Sequence, residues 1–132
     1  MGEEIRLLSV EDVLRAPDIT EEVVPVPEWG GSVRVRSFTK AQAQSIRERA
    51  TLQRDTRDKK AGSLDINYME LLMFIEGVVE PKFSEGHLLS LKEKSAAAIE
   101  RVNRAIARLS GMDNQAIERA EATFQDEPGA EA

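Results

Sequence analysis

The sequence predicts an α+β fold, a mostly helical single domain with an N-terminal β-hairpin packed against a helical bundle. Three observations carry this. Between Thr20 and Phe38, apolar and polar residues alternate at the period of a strand. From Ser95 to Leu109, the residues Ile99, Val102, Ile106 and Leu109 recur at spacings of three, four and three, the period of a helix. From Ile66 to Val79 only Asn67, Glu70, Glu76 and Gly77 are not apolar, so this segment is expected to be surrounded by other elements at the centre of the core.

Taken in order, Ser9 begins a short helix, with Asp12 three residues on to complete a capping box and Pro17 to end it. Val10, Val13 and Leu14 share one face, and a helix this short is expected to dock on something. A hairpin over about 22–38 follows. Pro25 and Pro27 suit an edge or irregular strand. Gly30-Gly31 supplies a tight turn, and Val33 and Val35 alternate with Arg34 and Arg36, which gives the second strand a basic outer face. Thr39 and Gln42 form a second capping box at the head of a helix over about 40–61. Its apolar stripe is thin (Ala43, Ile46, Ala50), and nothing apolar occurs between Gln53 and Lys60. Asp65 caps the apolar helix of about 66–79, which stops at Glu80-Pro81; Ser84 caps a short helix of about 84–94. The helix of about 95–110 ends at Gly111, and Asp113 caps a last one of about 113–124 through Ile117, Ala120 and Phe124. Residues 1–124 thus read as one domain, and 125–132 as a disordered acidic tail.

Composition narrows function. With 132 residues the chain can bury roughly two thirds of its unfolded surface, enough for one core and too short for a barrel enzyme or a doubly wound dinucleotide fold. It has no cysteine, hence no disulfide, thiolate metal site or redox pair. Eighteen basic against 24 acidic residues leave −6, which favours solubility and disfavours nonspecific binding to nucleic acid or anionic membrane. The first residues lack the apolar stretch of a signal peptide, and the longest apolar run, Leu71 to Ile75, falls far short of a membrane span. A soluble intracellular protein is expected.

Catalytic chemistry finds little to work with. One histidine, His87, excludes a multi-histidine metal site, and its place in the first turn of a short helix suits a surface or capping role. No serine sits in a nucleophile elbow, and the glycines form no phosphate-binding pattern. Asp55 and Asp58 lie among Arg54, Arg57, Lys59 and Lys60, so salt bridging is the better reading of them. Glu70 and Glu76, six residues apart on one helix, point in opposite directions. We therefore expect no enzyme, no cofactor and no metal.

Binding surface remains. Lys40, Arg47 and Arg54 recur every seven residues and share a helix face; across Lys40 to Lys60 seven basic and three acidic residues sum to +4. This is a solvated face, a dock for an acidic partner or, least favoured because no aromatic interleaves with it to stack on bases, a nucleic-acid contact. Trp29 at the hairpin tip either covers the core or anchors a partner. Met69 and Met73, four apart, either fill the core or line an adaptable groove for a partner helix. With Arg34 and Arg36, these residues form the candidate partner-binding set.

Some of these residues also carry a resemblance. A short helix ending Ala16-Pro17-Asp18 precedes Val24-Pro25-Val26-Pro27-Glu28-Trp29-Gly30-Gly31-Ser32-Val33-Arg34-Val35-Arg36-Ser37-Phe38-Thr39. Gly77-Val78-Val79-Glu80-Pro81-Lys82-Phe83-Ser84 and Leu109-Ser110-Gly111-Met112 follow. Over about residues 7–124 the chain resembles the tail assembly chaperones of long-tailed bacteriophages and related prophages, most specifically at Pro27 to Gly31 and Glu80 to Phe83. The resemblance implies a non-enzymatic α+β protein of the bacterial host cytoplasm. Such a protein binds the long helical tape measure protein, keeps it soluble, helps recruit the tail tube protein and is absent from the mature virion. In some members a frameshift adds a C-terminal extension. A homo-oligomer is compatible with it; neither nucleic acid nor membrane is an expected partner. Two alternatives stand beside it: a small helix-turn-helix regulator built from the helices of 66–109, and a structural tail or connector subunit.

Overall fold

The structure, a computed structural model, describes residues 4–52 and 64–112. The expected helix of 113–124, the tail of 125–132 and the far part of the basic helix, Arg54 included, lie outside the described residues. The element order is α1 (Val10–Arg15), β1 (Glu21–Val26), a 3₁₀ turn (Pro27–Trp29), β2 (Gly31–Arg36), α2 (Lys40–Leu52), α3 (Ile66–Gly77), β3 (Val78–Glu80), a second 3₁₀ turn (Glu85–His87), α4 (Leu88–Leu91) and α5 (Ala96–Leu109). The fold is α+β and mostly helical, with the hairpin near the N-terminus.

The strands form one antiparallel sheet in the order β1-β2-β3. Val24 pairs with Val33 and Val35 with Val78, so Val24, Val26, Val33 and Val35 bury one face while Val23 and Arg34 stay on the other. The alternation read in the sequence is thus a sheet with one buried face. Gly30 adopts φ 77°, a left-handed conformation that suits glycine, and its N–H closes the Pro27–Trp29 turn on the Pro27 carbonyl at 3.0 Å.

The apolar helix α3 is central, as its sequence implies. One side, through Phe74 and Ile75, joins the sheet valines and α5 in the main cluster, to which Val78 and Val102 also belong. The other side, through Leu72 and Met73, packs against Ile46 of α2. Packing from both sides explains why so little of α3 is polar. The helix is shorter than its apolar run, however. It ends at Gly77, and Val78 to Glu80 pair with β2 instead of completing another turn. Two β-branched valines before a proline favour an extended path, and Val78 is fully buried in that pairing. Gly77 is needed here: a Cβ at this position would meet Ile106 Cγ1 and Cγ2 at 2.9 Å.

Two further expectations change. The helix over 84–94 is a 3₁₀ turn followed by the four-residue α4. The expected docking of α1 does not occur, because none of its residues is buried. Four expected caps form: Ser9 accepts from Asp12 N–H, Thr39 from Gln42 N–H, Asp65 from Tyr68 N–H and Ser95 from Ala98 N–H. The Ser84 hydroxyl instead makes no bond to a backbone N–H of its turn, and Asp113 lies outside the described residues.

Candidate protein-binding surface

The candidate residues fall in four places. Trp29 is half-buried, its ring edge-on to Phe74 at 6.0 Å. The hairpin tip therefore lies over the core, fastened by Glu28, whose carboxylate accepts two bonds from Arg101 at 2.7 and 2.8 Å. That bidentate pairing holds the Glu28 carboxyl down at about 2 and raises the Arg101 guanidinium. A second clamp joins Glu22 to Arg108 at 2.7 Å and lowers the Glu22 carboxyl. Part of the Trp29 ring remains open to a partner, but its main contact is internal.

On the outer sheet face Arg34 reaches Glu80 at 3.3 Å and Glu21 at 3.9 Å, and Arg36 is half-buried with its Nε lacking a hydrogen-bond partner. The basic outer face is real, but Arg34 is engaged by neighbouring carboxylates.

Lys40 and Arg47 are exposed on α2. Beside them Phe38, Ala43, Ile46, Arg47, Met69, Met73 and Met112 line a dimple of about 30 Å³ between α2 and α3. The structure thus brings together Arg47, Met69 and Met73 from the candidate set. Their parts differ: Met73 is buried against Leu72 and Ile46 and forms the floor, whereas Met69 is half-buried and forms a wall. Arg49 ties the helices behind this surface, bridging Glu76 of α3 and Glu85.

The fourth place is the N-terminal arm, whose short helix is expected from sequence to dock on something. Along the N-terminal arm, Ile5 and Leu7 are 89% and 87% exposed, and Leu8, Val10, Val13 and Leu14 are exposed too. In sequence, the helix after Ser9 is expected to dock; Ile5, Leu7 and Leu8 before it carry the same apolar character and are not singled out. The arm's second half, Val10–Arg15, is nonetheless a formed helix. Asp12 accepts from the Ser9 N–H at 3.0 Å and meets Arg6 at 3.4 Å, and its carboxyl is lowered by the bonds from Ser9.

His87 caps the second 3₁₀ turn, its Nδ1 accepting from Ser84 N–H at 3.0 Å, with its ring edge-on to Phe83. Among the described residues no group of three or more acidic or histidine side chains is placed to hold a metal ion, and no helix is long and apolar enough to cross a membrane. Compared with known protein families, curated proteins and solved structures, the chain matches none.

Proposed function

We propose that this chain is a tail assembly chaperone, a non-enzymatic protein that lends apolar surface to the tape measure protein and helps recruit tail tube protein. It acts in the cytoplasm of the bacterial host and leaves before the virion is complete. The observation that carries this reading is the arm: six large apolar side chains from Ile5 to Leu14 that no other described element covers. Each is worth roughly 1.5–3 kcal/mol when fully buried, so leaving all of them in water is costly unless a partner takes them up. A long client with apolar stripes at helical spacing offers matching surface. The net charge of −6 keeps the loaded complex dispersed, and side chains presented on a short arm permit the weak, repeated contacts that tube subunits can displace.

The helix-turn-helix alternative finds less support. Between α3 and α5 lie β3, a 3₁₀ turn and the four-residue α4, and Ala98 at the start of α5 is fully buried.

Co-expression with a tape measure protein tests the proposal. Soluble tape measure should rise several-fold with the intact chain and fall back when Leu7 and Leu14 are both changed to Asp. Tape measure that aggregates equally with and without the chaperone would refute it.

A further inference from the structure

We infer that the acidic C-terminal stretch of this chain, residues 113–132, lies across the basic face of α2 and is held there by Lys40 and Arg47 of the same molecule. This concerns a surface other than the arm and stands apart from the client reading.

The distribution of charge is the first argument. Residues 113–132 carry Asp113, Glu118, Glu121, Asp126, Glu127 and Glu131 against Arg119 alone, six minus one, so −5 of the chain's −6 lies there. The remainder of the chain is close to neutral, with 17 basic and 18 acidic side chains. Helix α2 has the opposite sign, with Lys40, Arg47 and Arg49 against Glu48. Arg49 is already tied to Glu76 and Glu85, and Glu48 accepts from Gln44 Nε2 at 3.1 Å. Lys40 and Arg47 lie two turns apart on one side of the helix, exposed, and meet no carboxylate among the described residues. Arg104 and Arg108 of the neighbouring α5 are no competitors, since Glu100 and Glu22 occupy them.

The end of α5 supplies the second argument. Gly111 takes φ 75°, and the N–H groups of Gly111 and Met112 bond back to the carbonyls of Arg108 at 3.2 Å and Ala107 at 2.6 Å. This is a Schellman turn, which carries the chain off the helix axis. It places Met112 in the hollow between α2 and α3 that Arg47 also lines. Alongside, Ser110 Oγ accepts from Phe38 N–H at 2.9 Å, two residues before Lys40. Residue 113 therefore sets out from beside Arg47, and the head of α2 is fastened to the same corner. The two cations stand roughly 10 Å apart along the helix, a span that about three extended residues cover.

This closeness decides between an occupied face and a solvated one. Exposed ion pairs between separate molecules are weak and are screened by salt. On a short tether the same pairs form at an effective concentration of roughly millimolar, so several weak pairs suffice. Arg119 opposes them with one charge. The basic face is thus covered in the free chain, and an acidic partner approaching α2 must first displace residues 113–132.

Paramagnetic broadening in the full chain tests this. The chain has no cysteine, so Ala130→Cys provides a single site for a nitroxide label, 18 residues beyond Met112. At about 20 mM salt the amide signals of α2 around Lys40 and Arg47 should lose at least half their intensity, while those of Glu28 and Trp29 change little. Raising the salt to about 0.5 M should reduce the loss at least threefold, and so should Lys40→Glu combined with Arg47→Glu. Both side chains are exposed, so an unchanged amide spectrum elsewhere verifies the fold of the double variant. Labelled chain mixed with unlabelled, nitrogen-15-enriched chain should produce no broadening. Broadening spread evenly over the surface, broadening at α2 that survives both salt and charge reversal, or broadening passed from one copy to another would each overturn the inference.

Discussion

Replacing Gly77 by alanine tests the packing on which the whole core arrangement depends. The added methyl would stand 2.9 Å from Ile106 Cγ1 and Cγ2, in a place where Ile106 is fully buried and has no free side to move into. Comfortable carbon contacts need about 3.5–4.0 Å, so α3 and α5 must part by the better part of an ångström or Ile106 must leave its rotamer. Overpacking of this kind costs about 1–3 kcal/mol. Alanine's helix propensity, worth at most about 1 kcal/mol over glycine, opposes it only in part, because Gly77 is the last residue of α3. The net expectation is a loss of about 1–2 kcal/mol, or roughly 4–10 °C in Tm for a domain of this size. Urea unfolding followed by Trp29 fluorescence is the assay, since the chain's single tryptophan rests on Phe74 in the same cluster. The cycle is closed with Ile106→Val, which removes Cδ1, the atom nearest the new methyl, at a cost of its own of about 0.5–1.5 kcal/mol. In that background Gly77→Ala should cost less. Stability at or above wild type for the single variant, or an identical cost in both backgrounds, would show that the α3–α5 contact is not as tight as described.

Two more outcomes follow from the site geometry. Because Arg101 holds Glu28 at about 2, below its usual 4.5, the pair's contribution is fully present above the unfolded carboxyl's value and fades as pH falls from about 4.5 towards 2. Glu28→Gln should therefore lower the urea midpoint at pH 7, with the gap to wild type narrowing as the pH falls below about 4.5 and closing only below about 2; a gap that does not narrow between about pH 5 and pH 2 would argue against the pairing. The two serine caps should behave oppositely. Ser95→Ala removes the acceptor for Ala98 N–H in a packed helix and should cost about 1 kcal/mol. Ser9→Ala frays a helix with no buried residue, so the global transition should not move; a shift in Tm would mean that α1 contributes to the core after all.

The legible parts of the fold were those where local chemistry and packing agree. Ser95, Asp65 and Thr39 announce their helices because a side-chain acceptor at that position is useful wherever the helix docks. Val33 and Val35 announce a half-buried strand for a similar reason. What failed depended on partners distant in sequence. Val78 and Val79 carry on the apolar run of α3 and look helical alone; only β2, more than 40 residues earlier, converts them to a strand. The ion pairs Glu28–Arg101 and Glu22–Arg108 join residues 73 and 86 apart, beyond any spacing rule. For the binding surface, the methionines were recognisable by their four-residue spacing, but the division between the buried Met73 and the half-open Met69 arises from where α2 crosses α3. The arm's amphipathic pattern states that something will cover it without stating what, and none of its α1 residues is buried by the described chain.

That arm also bears on how a small domain can present apolar surface, as the proposed chaperone role requires. A small domain can expose apolar surface by leaving its core incomplete, which sacrifices stability, or by adding a separate element outside a completed core. The second arrangement fits the described residues. The sheet valines, Phe74, Val102 and Ile106 close the interior without help from residues 4–19, and the hairpin tip is clamped down by Glu28 on Arg101. Stability and stickiness are then carried by different residues. Substitutions from Ile5 to Leu14 can tune attachment without loosening the fold, while substitutions at Gly77 or Phe74 loosen the fold without touching the arm. The capping box at Ser9 has its place in this scheme: it pre-forms the short helix, so less conformational entropy is lost when the stripe is covered.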